Sequence, residues 1–294
     1  MSELDDGVAD LHMHTTASDG TCSVADRVSQ AVERGLDAIA ITDHDRISDD
    51  LTGRSEHRDG VEVVTGIEIR ADCLGTKVEI LGYFVDPSDP ALRETIATVR
   101  EFRRERNRRL VENVNDAAGT AMDYEAMRER ADGMLGRPHV AQRLVDEGLV
   151  DSIGAAFDGY LATDGDAYVE MERLDAPVVI DAIHAAGGVA SLAHPGRIRA
   201  DGPDAVAAIV DSLVDDRLDA IEVPYPYGEI GHGGYAAVSV EDAATLAGEH
   251  GLLRTGGSDC HGPDSGKFRI GTVRLGQSDL DALRDRATSH KRKE

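Results

Sequence analysis

Lysine is scarce in this chain of 294 residues, where it occurs only at positions 77, 267, 291 and 293. Arginine supplies the other basic side chains, and 31 basic residues stand against 56 acidic ones, which gives a formal net charge of −25. So acidic a surface repels long nucleic acids and anionic membranes, because both are negatively charged. We therefore expect neither as a partner, and the halophile-like acidic surface indicates a cytosol rich in salt.

Cysteines and aromatic residues are also few. Cys22, Cys73 and Cys260 are odd in number and far apart, which argues against a disulfide framework and against a zinc site built from thiolates. Aromatic residues make up 4% of the chain and tryptophan is absent, so a stacking platform for single-stranded nucleic acid is poorly provided. No apolar run is long enough to span a membrane, and the N-terminus lacks a signal-peptide pattern, so we expect a cytoplasmic protein.

The apolar runs that are present predict an α/β barrel. Strands are predicted at residues 8–13, 37–42, 61–67, 77–84, 188–193, 220–223 and 252–255. Helices are predicted between them, at 24–34, 178–186, 206–214 and 241–250. Residues 87–170 carry helical patterns without strands. We therefore expect a first barrel part at 1–86, a helical insertion or cap at 87–170, a second barrel part at 171–275 and a charged tail at 276–294.

Two histidines near the N-terminus point to a metal ion. Because side chains alternate along a strand, His12 and His14 project from the same face and can bind one ion. Asp19 follows in a Ser-Asp-Gly turn, close enough to add an oxygen ligand. Two polar residues in a core would explain His-x-His alone equally well, so the interpretation depends on whether similar residues recur.

Similar residues do recur where later apolar runs stop. In an α/β barrel the carboxyl ends of the strands meet on one face, so residues far apart in sequence converge there. A lone carboxylate in so acidic a chain is most simply a solvated side chain, but histidines and carboxylates at successive strand ends indicate metals. The candidate ligands are His12, His14, Asp19, His44, Glu68, Glu79, His194, Asp259 and His261.

This ligand set exceeds what one ion needs. Histidine combined with carboxylate favours Mn²⁺, Fe²⁺ or Zn²⁺ over Mg²⁺ or Ca²⁺, and we expect two or three such ions. Clustered ions lower the pKa of a shared water and neutralise a phosphate during in-line displacement. The implied reaction is phosphoester hydrolysis.

At these positions the sequence resembles the PHP family, the polymerase and histidinol phosphatase superfamily of metal-dependent phosphoesterases. The resemblance rests on residues 10–15, 18–20, 41–45, 66–68, 192–196 and 257–262, and it covers nearly the whole chain apart from the tail. Motifs in this order are specific, whereas His-x-His alone is not. The resemblance implies a distorted seven-stranded (β/α) barrel of PHP type with a trinuclear metal site.

The resemblance also implies how the ligands are shared. One ion would take His12, His14, Glu68 and Asp259, and a second would share Glu68 with His194 and residue 79. A third would take Asp19, His44 and His261, which are the candidate catalytic residues. The family usually has histidine where this chain has Glu79. Glutamate still ligates a hard divalent ion, and it favours manganese or iron over zinc, so we expect Glu79 to be a ligand; the alternative is a weak second site.

The helical insertion, with Arg106-Asn107 and Gly136-Arg137-Pro138-His139, resembles the subgroup that hydrolyses nucleoside 3′,5′-bisphosphates and trims short 5′-phosphorylated RNA. Arg137 and His139 at a helix start, and Arg197 after His194, are candidates to bind substrate phosphates. Ordinary surface ion pairs are the alternative for these arginines. Glu222 and His232, near another strand end, are candidates to support ligands or donate protons.

The sequence thus predicts a phosphoesterase that uses metal-activated water on a nucleoside 3′,5′-bisphosphate or a short 5′-phosphorylated oligonucleotide. Histidinol phosphate is an alternative substrate, and a non-catalytic nucleotide-binding module whose site has decayed at Glu79 is an alternative of another class. An amidohydrolase-type barrel also begins with His-x-His, but it commonly bridges its metals through a modified lysine. No lysine here lies at the carboxyl end of a predicted strand. The oligomeric state is left open.

Overall fold

The computed structural model describes residues 8–131, 135–162, 165–227, 236–265, 267 and 270–291. Its contacts divide the chain into two compact units, one formed by the residues up to Ile96 with those from Leu174 onward, the other by Ala97–Arg173. The strands are β1 (Ala9–Met13), β2 (Ala38–Ile41), β3 (Ser55–Arg58), β4 (Val61–Cys73), β5 (Thr76–Tyr83), β6 (Leu174–Asp175), β7 (Val189–Leu192), β8 (Ala220–Glu222) and β9 (Leu253–Thr255). The helices are α1 (Val24–Arg34), α2 (Pro90–Ala118), α3 (Tyr124–Arg130), α4 (Arg137–Asp146), α5 (Ile153–Asp158), α6 (Ala176–Ala185), α7 (Pro203–Asp215), α8 (Val240–His250) and α9 (Gln277–Lys291).

The sheet of the first unit is curled. Its main path has the order β1-β2-β4-β5-β7-β8-β9, and β3 and β6 pair with β4 at the side. Neighbours on this path are parallel except where β5 pairs with β4 and β7, so β5 alone runs against the others. Beyond β9, the carbonyl of Gly256 accepts a hydrogen bond from the amide of Leu11 in β1 at 3.1 Å. The prediction of an α/β fold is confirmed, with a sheet that forms a half-barrel.

Local signals in the sequence set the ends of α1. The Ser23 hydroxyl accepts a hydrogen bond from the amide of Asp26 at 3.1 Å, and the Asp26 carboxylate accepts one from the amide of Ser23 at 2.8 Å. This reciprocal cap satisfies two amides that the first helical turn leaves unpaired. Gly35 ends the helix with a φ of 64°, a conformation that favours glycine. The face bearing Val24 and Val28 packs against β2.

Strand β4 is longer than the apolar pattern indicated. We expected it to end at Ile67, just before Glu68, and this was wrong because the strand continues to Cys73. Residues 62–65 pair with β2, and residues 66–73 pair with β5 instead. Glu68 therefore lies inside the strand, two residues after the point at Gly66 where the chain changes partners.

The second unit, Ala97–Arg173, has a core of its own. Leu144 and Leu161 are fully buried in it, together with apolar residues of α2. The arginines of α2 pair with glutamates along the same helix, as where Arg109 Nε lies 2.8 Å from Glu105 Oε1. Such exposed pairs contribute little stability, and they are typical of a solvated helix face.

Helix α9 completes the core of the first unit. Its Leu280 and Leu283 are fully buried, in the same cluster as Leu11 and Leu81. Burying a side chain of this size contributes about 1.5–3 kcal/mol. The charged C-terminal stretch is thus attached to the barrel through an apolar face. None of the helices described is both long and apolar enough to cross a lipid bilayer.

Candidate metal centre

The parallel strands bring five histidines to one edge of the sheet. They are His12, His14, His44, His194 and His261, each at or just beyond the end of a strand. Because β1, β2, β7 and β9 share one direction, their carboxyl ends meet at this edge. Strand β5 runs the other way, so its early residue Glu79 reaches the same edge. The rings lie close together, with centroids 4.0 Å apart for His14 and His261.

Glu68 lies in the middle of these imidazoles and is 1% exposed. Its Oε2 lies 3.5 Å from His12 Nε2, 3.4 Å from His14 Nε2 and 3.0 Å from His44 Nδ1. Its Oε1 lies 3.0 Å from His194 Nε2. One buried carboxylate therefore faces four imidazoles, which is the position of a ligand shared between cations.

Asp19 forms the more exposed side of the cluster, with its side chain 54% accessible to solvent. Its carboxylate lies 3.7 Å from His14 Nδ1, 3.9 Å from His44 Nε2 and 3.3 Å from His261 Nε2. The Nζ of Lys267 also approaches His261 Nε2, at 2.7 Å. Burial acts to raise the pKa of Asp19, but the hydrogen bond from His261 and the charge of His44 hold it far below its usual value. Asp19 is therefore a charged acceptor.

Asp259 closes the opposite side. Its Oδ1 lies 3.1 Å from His14 Nε2, 3.6 Å from His12 Nε2 and 3.4 Å from His261 Nδ1. Its Oδ2 accepts a hydrogen bond from the hydroxyl of Tyr225 at 2.9 Å. One oxygen of Asp259 is thus held by a tyrosine while the other points at the imidazoles.

Several atoms of this cluster are buried without a hydrogen-bond partner among the residues that the structure describes. They are His12 Nε2, both ring nitrogens of His14, His44 Nδ1 and Glu68 Oε2. An unpaired buried polar atom costs about 1–3 kcal/mol, so a fold that retains several of them at one place indicates a missing ligand. Divalent cations fit, because imidazole nitrogen and carboxylate oxygen are their usual donors. The potential ligand atoms form four overlapping groups, and the atoms of each group lie within 4.8 Å of one another. The groups are His14, Asp19, His44 and His261; His12, His14 and Asp259; His12, Glu68 and His194; and His44, Glu68 and Glu79.

Burial disfavours the charged form of each of these groups, whereas neighbouring groups of opposite charge favour it. Burial lowers the pKa of His14 to about 3, with help from His261 and His44, so its ring is neutral at neutral pH. Burial acts in the same direction on His12, but the surrounding carboxylates, above all Glu222, raise the pKa of His12 well above its usual value. Burial would raise the pKa of Glu68, yet His44 and His12 hold it well below its usual range. A bound cation would therefore meet a neutral His14 and would displace a proton from His12.

Glu79 stands where the family resemblance led us to expect histidine. Its Oε2 lies 3.6 Å from His194 Nε2, so the side chain reaches the cluster. Its Oε1 pairs with Arg70 Nε at 2.8 Å and with Lys77 Nζ at 3.0 Å. Burial acts to raise the pKa of Glu79, but Lys77 and Arg70 lower it overall. The negative charge that glutamate adds to the site is thus balanced by two cationic side chains.

Two buried aspartates, to which the sequence patterns gave us no reason to assign a role, hold the loops of the cluster. Asp10 accepts hydrogen bonds from the amide and hydroxyl of Ser258 at 2.9 and 2.6 Å. Asp43 accepts them from the amide and hydroxyl of Thr15 at 2.7 and 2.6 Å. These bonds fix the segments on which His14 and Asp259 lie. Both residues lie in motifs that carry the family resemblance, at 10–15 and 41–45, but those motifs did not distinguish a residue that holds a loop from a ligand.

Arg27 is fully buried in α1 behind the cluster. Its Nε and Nη2 donate to the carbonyl of His14 at 3.1 and 2.7 Å, and Nη2 also donates to the carbonyl of Cys260 at 3.0 Å. One guanidinium therefore ties together two backbone segments that each carry a candidate ligand. Sequence reasoning missed this residue, because an arginine on an amphipathic helix is usually solvated.

Glu222, at the end of β8, contacts two candidate ligands. Its Oε1 lies 3.1 Å from His12 Nδ1, and its Oε2 accepts a hydrogen bond from the amide of His194 at 2.7 Å. A carboxylate at one ring nitrogen orients the imidazole and directs the other nitrogen towards a metal. This is the arrangement expected of a residue that supports ligands.

The backbone is strained at two candidate ligands. His194 has a φ of 26° and Asp259 a φ of 48°. Residues other than glycine pay about 1–3 kcal/mol for such conformations, which cluster at functional sites. Near Asp259 the chain also passes so close to β1 that a Cβ on Gly257 would lie 2.3 Å from the amide nitrogen of His12. Only glycine fits there.

The remaining predicted residues lie elsewhere. Arg197 ends the short 3₁₀ helix Pro195–Arg197 directly after His194, and its amide donates to the His194 carbonyl at 2.8 Å. In the second unit, Arg137 lies over the ring of Phe157 and donates to the carbonyl of Leu161, while His139 Nδ1 accepts a hydrogen bond from the amide of Gly136 at 3.1 Å. These two residues thus support the start of α4. His232 lies outside the described residues.

Comparisons with known proteins show which proteins the chain resembles. Residues 10–135 match the model of the PHP domain. The chain is 35% identical over 203 residues to a 5′-3′ exoribonuclease from Haemophilus influenzae, covering 69% of this chain and 74% of the relative. It is 30% identical over 270 residues to a 3′,5′-nucleoside bisphosphate phosphatase from Chromobacterium violaceum, covering 89% and 90%. A solved structure from Bifidobacterium adolescentis, described as a metal-dependent phosphoesterase, has a TM-score of 0.77 at 27% identity and covers 97% of this chain and 98% of that one.

Proposed function

Because the chain belongs to the PHP family of metal-dependent phosphoesterases, we propose that it hydrolyses a phosphomonoester of a nucleoside 3′,5′-bisphosphate or a short 5′-phosphorylated oligonucleotide. The observation that carries this proposal is the cluster of buried imidazole and carboxylate atoms without partners. It offers sites for the cations that such a reaction requires. The names of two relatives that align with most of the chain support the choice of substrate class.

Our ligand assignment follows the sharing that the family resemblance implies. His12, His14, Glu68 and Asp259 would hold one cation, Glu68, His194 and Glu79 a second, and Asp19, His44 and His261 a third. Two sets of distances support it. Glu68 lies within 3.5 Å of four of these imidazoles, and Asp19 lies 3.9 Å from His44 and 3.3 Å from His261. We propose Mn²⁺, Fe²⁺ or Zn²⁺, and the carboxylate at position 79 favours the first two.

Bound cations would supply Lewis acidity that lowers the pKa of a water and offsets the charge of the phosphate. The side chains of the protein do the rest. Glu222 orients the ring of His12, and Asp259 is held by Tyr225. Asp19 is the most solvent-exposed carboxylate of the cluster, and its depressed pKa keeps it charged, so it is suited to hold a cation at the mouth of the site rather than to accept a proton.

We retain Arg197, Arg137 and His139 as candidate contacts for substrate phosphates. Arg197 has the strongest support, because it follows His194 by one 3₁₀ turn. The net charge of −25 disfavours long nucleic acid and supports a small or short substrate. If Arg197 binds phosphate, Arg197→Ala raises KM more than it lowers kcat, since ground-state binding is lost.

The test is hydrolysis by the full chain with Mn²⁺, followed as release of inorganic phosphate and, for the oligonucleotide, also as release of nucleotides. The substrates are adenosine 3′,5′-bisphosphate, a 5′-phosphorylated trinucleotide and histidinol phosphate, with Glu68→Gln as the inactive control. We expect the two nucleotide substrates to be preferred. Preference for histidinol phosphate would replace the substrate assignment, and no release from any substrate by a protein with bound metal would contradict the enzymatic function itself.

A further inference from the structure

A second imidazole and carboxylate cluster lies at the opposite edge of the same sheet. Asp219 directly precedes β8, His184 lies in the last turn of α6 and His290 lies in the last turn of α9. One potential ligand atom from each residue lies within 4.8 Å of the other two. Glu222 and the first cluster are at the carboxyl end of β8, whereas Asp219 is at its amino end. The two clusters are therefore separate.

Asp219 is the centre of this second cluster and is 4% exposed. Its Oδ2 lies 2.7 Å from His184 Nε2 and accepts a hydrogen bond from the amide of Ala190 at 3.0 Å. Its Oδ1 lies 3.5 Å from His290 Nε2 and accepts a hydrogen bond from Arg286 Nη1 at 2.7 Å. Both imidazoles thus direct the same ring nitrogen at one buried carboxylate.

The tautomer of the neutral His290 ring is set by its other nitrogen. His290 Nδ1 lies 2.7 Å from the carbonyl of Gly188, and because a carbonyl only accepts, Nδ1 carries the proton. In the neutral ring Nε2 then has a lone pair, and this lone pair faces a carboxylate oxygen. Two acceptors that face each other at 3.5 Å repel unless a cation lies between them. A histidine anchored through Nδ1 to a backbone carbonyl is the usual arrangement of a metal ligand.

We propose that His184, Asp219 and His290 form a second metal centre, which takes Zn²⁺ and fastens α9 to the barrel. Two imidazoles and one carboxylate, with water in the fourth position, suit tetrahedral zinc. Arg286 donates to Oδ1, the oxygen that faces His290, and the amide of Ala190 donates to Oδ2, so each carboxylate oxygen keeps a further lone pair for the ion. The ligands come from α6, α9 and the start of β8, so the ion cross-links the last turn of the C-terminal helix to the sheet. The role of this centre is structural.

The test counts bound zinc in the full chain. His184→Gln and His290→Gln remove a ligand without adding charge, and His250→Gln is the matched control because His250 also pairs with an aspartate, Asp211, on the surface. After dialysis against zinc, we expect both ligand variants to hold one ion per chain fewer than the wild type and His250→Gln to hold the same number. Equal zinc content in all folded variants would overturn the proposal.

Hydrogen exchange of the wild type provides a measurement that needs no variant. Zinc slows exchange of the α9 amides, by up to about a hundredfold when free zinc is a hundred times its dissociation constant. His290→Gln abolishes this slowing in α9 and leaves the effect of zinc on β1 and β4 intact. Protection of α9 that is indifferent to zinc but increases on acidification would mean that protonated histidines hold Asp219 instead, and would overturn the metal assignment.

Discussion

The two edges of the sheet carry clusters of imidazoles and carboxylates. The clusters differ in how many of their polar atoms have hydrogen-bond partners within the protein. At the carboxyl edge, buried atoms of His12, His14 and Glu68 have no hydrogen-bond partner among the described residues. At the amino edge, Asp219 is contacted by a backbone amide, an arginine and a histidine. The carboxyl edge thus leaves buried atoms for ligands that the chain does not supply, while at the amino edge the chain itself contacts both oxygens of Asp219 and the proposed zinc ion adds to the attachment of α9. Burial alone does not distinguish a reactive site from a structural one, but unpaired donors and acceptors do.

The largest effect is expected for Glu68→Gln. The amide cannot bridge cations, so metal is lost from more than one position and activity falls by at least about a hundredfold. Glu62→Gln is the matched control, because Glu62 is a buried glutamate on the same strand whose carboxylate binds Arg284 Nε at 3.0 Å. It lowers the melting temperature but keeps the activity. Equal losses in the two variants would mean that Glu68 is only structural.

A smaller loss is expected for Glu222→Gln, which keeps the shape of the side chain but removes the charge beside His12. Residues that orient a metal ligand typically contribute a factor of about 10–100 to metal affinity. Titration with Mn²⁺, followed by activity and by calorimetry, measures the shift. Unchanged affinity together with lower activity would point instead to a proton-donating role.

Metal affinity is expected to rise with pH. The pKa of His12 is raised, despite its burial, by Glu222 and other carboxylates in the metal-free site, so binding displaces a proton. Each proton released changes the apparent affinity by about tenfold per pH unit while the pH is below the pKa of the histidine. Calorimetric titration in buffers of different ionisation enthalpy counts these protons. Uptake of protons on binding, or no exchange, would contradict the assigned protonation.

The smallest effect on activity is expected for a change at the amino edge of the sheet. Asp219→Asn weakens the contacts with Arg286 and the two histidines, so we expect the free energy of unfolding to fall by about 1–3 kcal/mol. Activity at a temperature where the variant is folded should stay within about twofold, since Asp219 lies at the far end of β8. Denaturant unfolding and steady-state rates measure both quantities. A large loss of activity with unchanged metal content would mean that the two edges are coupled.

The alternation of strands and helices was predictable because each element carries its own signal, as in the capped α1 and the apolar β2. The grouping of His12, His44 and His194 at one edge followed from parallel strand direction. The extension of β4 past Glu68 did not follow from strand direction, because the strand changes its pairing partner from β2 to β5 while it remains extended.

Supporting residues were harder to find than candidate ligands. Arg27 and Asp10 act on backbone groups far away in sequence, at His14 and Ser258, and no local pattern encodes such contacts. Glu79 illustrates the other difficulty. Its two cationic partners, Arg70 and Lys77, are visible in the sequence, but only the register of β4 against β5 brings Arg70 to it.

The most direct test of the account is elemental analysis of the purified full chain, combined with phosphate release from adenosine 3′,5′-bisphosphate on the same sample before and after chelation. The account predicts at least two manganese, iron or zinc ions per chain at the carboxyl edge, loss of activity on chelation and recovery with Mn²⁺. Phosphate release that continues after all metal has been removed would contradict it.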